Sequence, residues 1–283
     1  MTVLQNLHTH STFCDGKDTP EETVKRALAL GFDSIGFSEH APAHFSASYE
    51  RMLEGNVRYR EEITRLKREY AGQIEIFLGL EQEMYAKSEL SHYDYVIGSV
   101  HYLLMDGEYV GFDRGVEEVH DLIATRFGGN GLSLARAYYA ALSTLPAHGN
   151  FDIVGHFDLI TKLCEKTFLF DADSKEYRAY ALEAVDALVK KIPIAEINTG
   201  AIARGNRTSP YPAPWILKAW REKGGKIVIS SDCHNNLYLA HAFRDAIALA
   251  RECGYRETQV LTRDGFLPVS LEDMRKKMIT VLR

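Results

Sequence analysis

Six of the eleven histidines in this 283-residue chain sit at the ends of short apolar runs, and several acids share those positions. His8 and His10 close the run Val3 to Leu7, His40 follows Ser34 to Phe37, and Glu81 follows Ile74 to Leu80. His101 follows Tyr95 to Val100, His156 follows Ile153 to Gly155, and Asp232 and His234 follow Lys226 to Ser230. His8 and His10 are two residues apart, so on extended chain both imidazoles face one side and can chelate one ion. Asp232 and His234 repeat that spacing. Glu81 offers a carboxylate able to bridge two ions. Glu83 has the same facing and reads as a ligand's hydrogen-bonding partner or a solvated charge. Asp15, beside Gly16, can swing back toward the His8/His10 pair. A single histidine at a strand end is more often structural than ligating. The joint pattern points instead to metal chemistry, and mixed imidazole and carboxylate donors suit zinc, manganese or iron better than calcium or magnesium.

For residues so far apart in sequence to meet, the runs between them must form a common framework. Apolar, β-branched runs alternate with longer amphipathic ones throughout, the pattern of strands and helices taking turns. Seven strands are expected: the six runs above and Ile192 to Ile197. Several lack polar alternation, as strands covered on both faces do, which favours a parallel sheet or barrel. In a closed parallel barrel the carboxyl ends of the strands share one rim, where catalytic groups gather. Helix signals lie between the strands. Asp18 and Thr19 offer a cap ahead of Pro20, Glu21 and Glu22, and Gly31 stops that helix; Asp173-Ser174 opens another. The stretch from Met105 to Pro146 exceeds an ordinary crossover and reads as an inserted helical lid or wall. With no linker, repeat or low-complexity segment, residues 1–283 are expected to form one domain with an insertion at about 105–146.

Composition narrows the partners. A net charge of -6 and a pI near 6.0 argue against binding nucleic acid or anionic membrane through bulk positive charge. No apolar stretch approaches the roughly 20 residues of a membrane span, and the first ten residues do not read as a signal peptide, so a cytoplasmic location is expected. Cys14, Cys164, Cys233 and Cys253 have no CxxC spacing and read as reduced thiols. Oligomeric state leaves no trace.

Read together, these blocks resemble the PHP (polymerase and histidinol phosphatase) superfamily, and within it the histidinol-phosphate phosphatases. The resemblance runs through His8-Thr9-His10-Ser11, Phe13-Cys14-Asp15-Gly16, Gly36-Phe37-Ser38-Glu39-His40-Ala41-Pro42, Gly79-Leu80-Glu81, Gly98-Ser99-Val100-His101, Gly155-His156-Phe157-Asp158 and Ser231-Asp232-Cys233-His234. The Ser38-Glu39-His40-Ala41-Pro42 segment and the insertion after the fourth strand carry the likeness to the histidinol-phosphatase branch. The resemblance implies an α/β fold, a distorted (βα)7 TIM-like barrel with a helical insertion after the fourth strand, and three divalent metal ions. One would be held by His8, His10, Glu81 and Asp232, with Glu81 bridging to a second on His101 and His156. The third would lie on Asp15, His40 and His234. Asp15 stands where some branches of the superfamily have histidine.

The activity implied is hydrolysis of L-histidinol phosphate to L-histidinol and inorganic phosphate in histidine biosynthesis. The expected chemistry is in-line attack of a metal-bridging hydroxide while the ions clamp the phosphoryl oxygens. Three ions, three carboxylates and a hydroxide leave roughly +2 against a monoester's roughly -1.5 to -2, so the ions and not the acidic surface attract the substrate. Glu81 and Asp232 are expected to act in catalysis as well as ligation. Arg204, after the sixth strand, is the first choice for forking onto phosphate oxygens. Lys162 and Arg207 read as solvated cations. Asp113, Glu117, Glu118, Tyr138 and Tyr139 are candidate walls for a substrate carrying an amine and an imidazole, while His44, His92, His120, His148 and His241 receive no ligand role. The alternative keeps the site but changes the substrate to nucleotides, oligonucleotide ends or phosphotyrosine. An amidohydrolase and a degenerate, non-catalytic barrel are weaker rivals, since no ligand is missing.

Overall fold

The computed structural model describes residues 3–47 and 49–281. In chain order its elements begin β1 (Gln5–Asn6), α1 (Pro20–Ala29), β2 (Ser34–Phe37), α2 (Tyr49–Glu69), β3 (Glu75–Glu83), β4 (Tyr95–Ser99), β5 (Tyr102–Met105) and β6 (Glu108–Gly111). Next come α3 (Val116–Arg126), α4 (Gly131–Ser143), β7 (Ile153–Val154), α5 (Lys175–Leu188), β8 (Ile194–Asn198), α6 (Gly200–Ala203) and α7 (Pro214–Glu222). The chain ends with β9 (Lys226–Ser230), α8 (Phe243–Glu252), β10 (Glu257–Thr262), β11 (Gly265–Ser270) and α9 (Leu271–Val281).

The seven expected strands form one parallel sheet in the order β1-β2-β3-β4-β7-β8-β9. Beyond the ends of β1 and β9 the sheet nearly closes: Thr9 bridges Cys233, His10 N donates to Cys233 O at 2.8 Å, and Cys233 N donates to His8 O at 3.1 Å. The result is a nearly closed, distorted barrel. β3 is longer than expected, so Glu81 lies within the strand and not after it.

Alternation along the strands builds the interior in layers. At the floor, Leu7, Phe77, Tyr95, Ile97, Ile153, Ile194 and Val228 pack together. Two residues further along their strands, the same facing delivers Ser99, Glu196 and Ser230, and two further again Asn198 and Asp232. On β3 this series is Phe77, Gly79, Glu81 and Glu83. Outward residues such as Ile76, Leu78, Ile227 and Ile229 pack on helices instead, in a core shared with α1, α2, α8 and α9. Each such side chain, fully buried, contributes about 1.5–3 kcal/mol over exposure. The floor is therefore mainly apolar, with Gln5 and Ser34 hydrogen-bonded to each other at the amino ends, and the ionisable groups appear inside toward the carboxyl ends.

Local signals set the helices. Thr19 caps α1 in a capping box with Glu22, and Pro20 occupies the first turn. Ser174 caps α5. Gly31, at φ 66°, takes the left-handed conformation after α1.

Two hairpins depart from the sequence expectation. The segment expected to be helical from Met105 starts inside the antiparallel pair β5–β6, turned by Asp106 and Gly107, both at positive φ. Its helices α3 and α4 do not hang over the barrel: Leu122, Leu134, Tyr138, Tyr139 and Leu142 join Tyr177 and Val185 of α5 in a large core. The second hairpin, β10–β11, stoppers the floor: Gln5 Nε2 donates to Leu261 O at 2.9 Å, Leu261 N donates to Gln5 Oε1 at 2.7 Å, and Leu261 joins the interior layer. Among the described residues no helix is long and apolar enough to cross a membrane.

Candidate metal centre

The structure brings all nine sequence-predicted donors to the carboxyl end of the barrel. His8 Nε2 stands 3.5 Å from Glu81 Oε2 and 3.6 Å from Asp232 Oδ1; His10 Nε2 stands 3.5 and 3.4 Å from the same two atoms. Those edges are close to the roughly 3.3 Å that four donors about 2.0–2.1 Å from a tetrahedral ion would have. Both imidazole Nε2 atoms are buried and make no hydrogen bond. A buried nitrogen left without a partner is costly in free energy, and a cation facing both lone pairs removes that cost.

Glu81 turns its other oxygen to a second group, with Oε1 3.0 Å from His156 Nε2 and 3.5 Å from His101 Nε2. Ser99 Oγ donates to the same oxygen at 2.8 Å. A third group forms around Asp15, whose Oδ1 lies 3.5 Å from His40 Nε2 and 3.3 Å from His234 Nε2. His40 Nδ1 also reaches Glu81 Oε2 at 2.8 Å. His234 stacks on His10 with ring centroids 4.2 Å apart. Glu81 thus lies among clusters of donors close enough to share an ion: His8, His10 and Asp232; Glu81, His101 and His156; and His10, Cys14, Asp15 and His40.

The far nitrogens of three imidazoles are held by other residues, whereas that of His156 is buried without a hydrogen-bond partner. His8 Nδ1 meets Glu196 at 2.8 Å, His101 Nδ1 meets Glu83 at 3.1 Å, and His10 Nδ1 meets the Cys14 sulfur at 3.4 Å. Such partners orient a ligating ring and fix which nitrogen carries the proton. Glu83 fills the partner role that its facing allowed. Glu196 and Cys14 were not anticipated. Glu196 left a signal, a carboxylate in the apolar run Ile194 to Ile197.

Electrostatics agree with a site built for cations. Burial alone would raise Glu81 and Asp232, yet both lie well below the usual carboxylate range, Glu81 through the surrounding imidazoles and Asp232 first through Arg204. Burial opposes charge on His8, His40 and His101, but the acids outweigh it and hold all three above the ordinary imidazole value. His10 is the exception: burial and the neighbouring His234 and His40 push it down to about 3, which keeps it neutral.

The backbone is shaped to fit. Asp232 adopts φ 46°, a left-handed conformation costing on the order of 1–3 kcal/mol in a non-glycine residue. Gly200 lets α6 approach, since a Cβ there would stand 2.8 Å from Asp232 Cβ and 2.9 Å from Arg204 Nη2. Gly16 is tighter still, for its Cβ would come within 2.5 Å of the backbone of His10 and Ser11. Gly16→Ala is therefore expected to destabilise the protein by about 1–3 kcal/mol, because backbone and not a flexible side chain must yield. Thermal melts of parent and variant check this.

The donors open into a cavity of about 380 Å³ whose lining includes Tyr102, Asp113, Leu159, Lys162 and Arg204. Arg204 forks onto Asp232, Nη2 donating to Oδ2 at 2.7 Å and Nη1 to the carbonyl at 2.9 Å. Lys162 pairs with Asp113 at 2.8 Å on the cavity wall, so it is not the solvated cation expected. Arg207 lies away from the donors, 4.5 Å over the Tyr211 ring. Tyr138 and Tyr139 are not walls: both are fully buried, bonded to Phe157 O and to the Tyr177 hydroxyl, because α4 is packed between α5 and the barrel. Glu117 and Glu118 face solvent on α3. Of the insertion's candidates, Asp113 alone reaches the cavity.

The PHP domain family model matches residues 6–200. A Deinococcus radiodurans protein carrying the name "Probable histidinol-phosphatase" is 33% identical over 267 residues, covering 90% of this chain and 96% of that protein. The Bacillus subtilis histidinol-phosphatase is 29% identical over 259 residues, covering 83% and 95%. The crystal structure of a Lactococcus lactis histidinol phosphate phosphatase, complexed with zinc, L-histidinol and phosphate, shares the fold with a TM-score of 0.71 at 22% identity, covering 93% of this chain and 98% of that one.

Proposed function

The chain belongs to the PHP domain family, and we propose that it is a metal-dependent phosphomonoesterase that converts L-histidinol phosphate to L-histidinol and inorganic phosphate. The observation that carries the reading is the pair of buried, unpartnered imidazole nitrogens of His8 and His10, each 3.4–3.6 Å from Glu81 and Asp232 oxygens with which it could share an ion. The names of the relatives and the ligands of the Lactococcus lactis structure support the substrate, and they do not favour nucleotides, oligonucleotide ends or phosphotyrosine.

In this reading His8, His10, Glu81 and Asp232 would hold one divalent ion, Glu81, His101 and His156 a second, and Asp15, His40 and His234 a third. Zinc, manganese and iron all suit such donors. Bound there, the ions supply Lewis-acid charge for phosphoryl oxygens and a lowered pKa for water. The protein's own residues do the rest. Glu83, Cys14 and Glu196 aim three of the rings. Leu159 and the floor layer keep His8, His10, Glu81, His156 and Asp232 in a low-dielectric setting, where each charge acts more strongly than in water. Asp113, held below the usual carboxylate range by Lys162 after burial is overcome, stays ionised and offers negative charge to the substrate's amine or imidazole. Residues 1–283 act as one domain, and the metal centre, not the acidic surface, attracts the anionic ester.

Arg204 stands where its guanidinium can hold Asp232 and meet a phosphoryl oxygen at once. Arg204→Ala is expected to lower kcat/KM by about 10- to 150-fold, the equivalent of one lost charged hydrogen bond of about 1.5–3 kcal/mol. Steady-state kinetics on the purified variant would show it.

The reading as a whole is tested by phosphate release from a panel of monoesters, with zinc, manganese and iron added back in turn. Histidinol phosphate should be hydrolysed far faster than mononucleotides or phosphotyrosine. Comparable rates on all three would reject the substrate assignment.

A further inference from the structure

We propose that Glu196, in β8 beneath the donor ring, is a positioning residue that fixes the tautomer of His8 and so sets the affinity of the ion His8 helps to hold. The inference rests on the metal-centre reading above and concerns a residue that touches neither ion nor substrate.

Glu196 is fully buried, as is His8, so no water competes for their contact. Its two oxygens serve different strands. Oε1 accepts from His156 N at 2.6 Å and from Asn198 Nδ2 at 2.8 Å. Oε2 accepts from Ser230 Oγ at 2.6 Å and lies 2.8 Å from His8 Nδ1. The Asn198 amide is oriented by its other end, where Oδ1 accepts from Gly200 N at 2.9 Å. The His156 N–H, the Asn198 amide and the Ser230 hydroxyl all donate to Glu196, and an ionised carboxylate is the side chain that can accept from these three and from a protonated His8 Nδ1 at once. With its Nδ1 proton given to Glu196, His8 keeps a lone pair on Nε2, the atom that stands unpartnered among Glu81 and Asp232.

Glutamine at position 196 has nearly the same shape but only one accepting atom. The backbone N–H of His156 and the Asn198 amide cannot become acceptors, so the glutamine oxygen must face them. Its NH2 then faces Ser230 and His8. The serine hydroxyl can rotate to accept, but His8 can accept only by giving up its Nδ1 proton and carrying it on Nε2. That proton points where the ion would sit. Glu196→Gln therefore leaves every ligand in place and turns one of them the wrong way.

The test is a zinc titration against a chromophoric chelator, using metal-free parent, Glu196→Gln, His8→Gln and the double variant. Glu196→Gln should weaken one site by about 10- to 100-fold, the usual cost of losing such a partner, and leave the other sites at parental affinity. In the double variant, Glu196→Gln should add less than about twofold to the loss caused by His8→Gln, since the two act as one unit. Parental affinity in Glu196→Gln, weakening spread evenly over all sites, or additive losses in the double variant would overturn the proposal. A parent that binds no zinc would overturn the metal-centre reading itself, a result separate from any of these. Should Glu196→Gln fail to fold, the zinc-loaded parent decides by nitrogen NMR of its histidines: His8 must be protonated at Nδ1, and an unprotonated Nδ1 overturns the assignment.

Discussion

Glu81→Gln is expected to reduce kcat/KM on histidinol phosphate by about a thousandfold or more, and to cost the protein bound metal at two sites together. Each oxygen of Glu81 has its own partners, Oε2 among His8, His10 and His40 and Oε1 beside His101, His156 and Ser99. An amide converts one of those oxygens to a donor, which cannot bind a cation, and removes the negative charge that both groups share. The ions' charge stabilisation is worth several kcal/mol in a transition state, and each 1.36 kcal/mol is a factor of ten. Folding should survive, because the side chain keeps its volume and the floor layer below it is apolar and complete. Kinetics and metal analysis on the same preparation check the prediction. A variant that retains full metal content and a rate within tenfold of the parent would show that Glu81 does not bridge.

Much of this site was legible because its donors sit where apolar runs stop. An imidazole such as His101 is conspicuous after Tyr95 to Val100, and parallel strands carry such positions to one end. Facing allowed Glu83 as a ligand's partner or a solvated charge, and only the fold brings it to His101. Glu196 is harder to see for the opposite reason: it lies inside a run, two residues above the floor residue Ile194. Cys14 lacks any CxxC spacing, so the sequence shows a thiol and not its reach to His10. The β5–β6 hairpin had a signal, Asp106-Gly107 between Tyr102 to Met105 and Glu108 to Gly111, a pair suited to the positive φ values a tight hairpin turn requires. The length of the segment, with helical patterns further on, obscured it. Tyr138 and Tyr139 were assigned to a wall because aromatics suit an imidazole, but adjacent helical residues are both buried when a helix is covered on two sides, as α4 is by α5 and the barrel. Periodicity reports that a face is apolar. It does not say whether core or cavity lies opposite.

Removal of metal by a strong chelator separates what the site contributes to activity from what it contributes to stability. Activity should fall to background, since the expected nucleophile and the charge that receives the ester both depend on the ions. Stability should fall only in part. The two large cores, one around α4 and α5 and the other around α1, α2, α8 and α9, contain none of the donors, and the stoppered floor is independent of them. What is lost is the binding energy itself: one ion at a hundred times its Kd stabilises the folded state by about 2.7 kcal/mol. For a chain of 283 residues that corresponds to a fall in melting temperature of about 4–5 °C per such ion. The metal-free protein should therefore melt cooperatively at a lower temperature and recover both activity and melting point when zinc, manganese or iron is restored. If chelation instead abolishes the cooperative transition, the donors are structural members of the barrel and the cores do not suffice. If melting point and activity are both indifferent to the chelator, the imidazoles and acids at the rim hold no ion, and the hydrolytic reading of this chain fails with them.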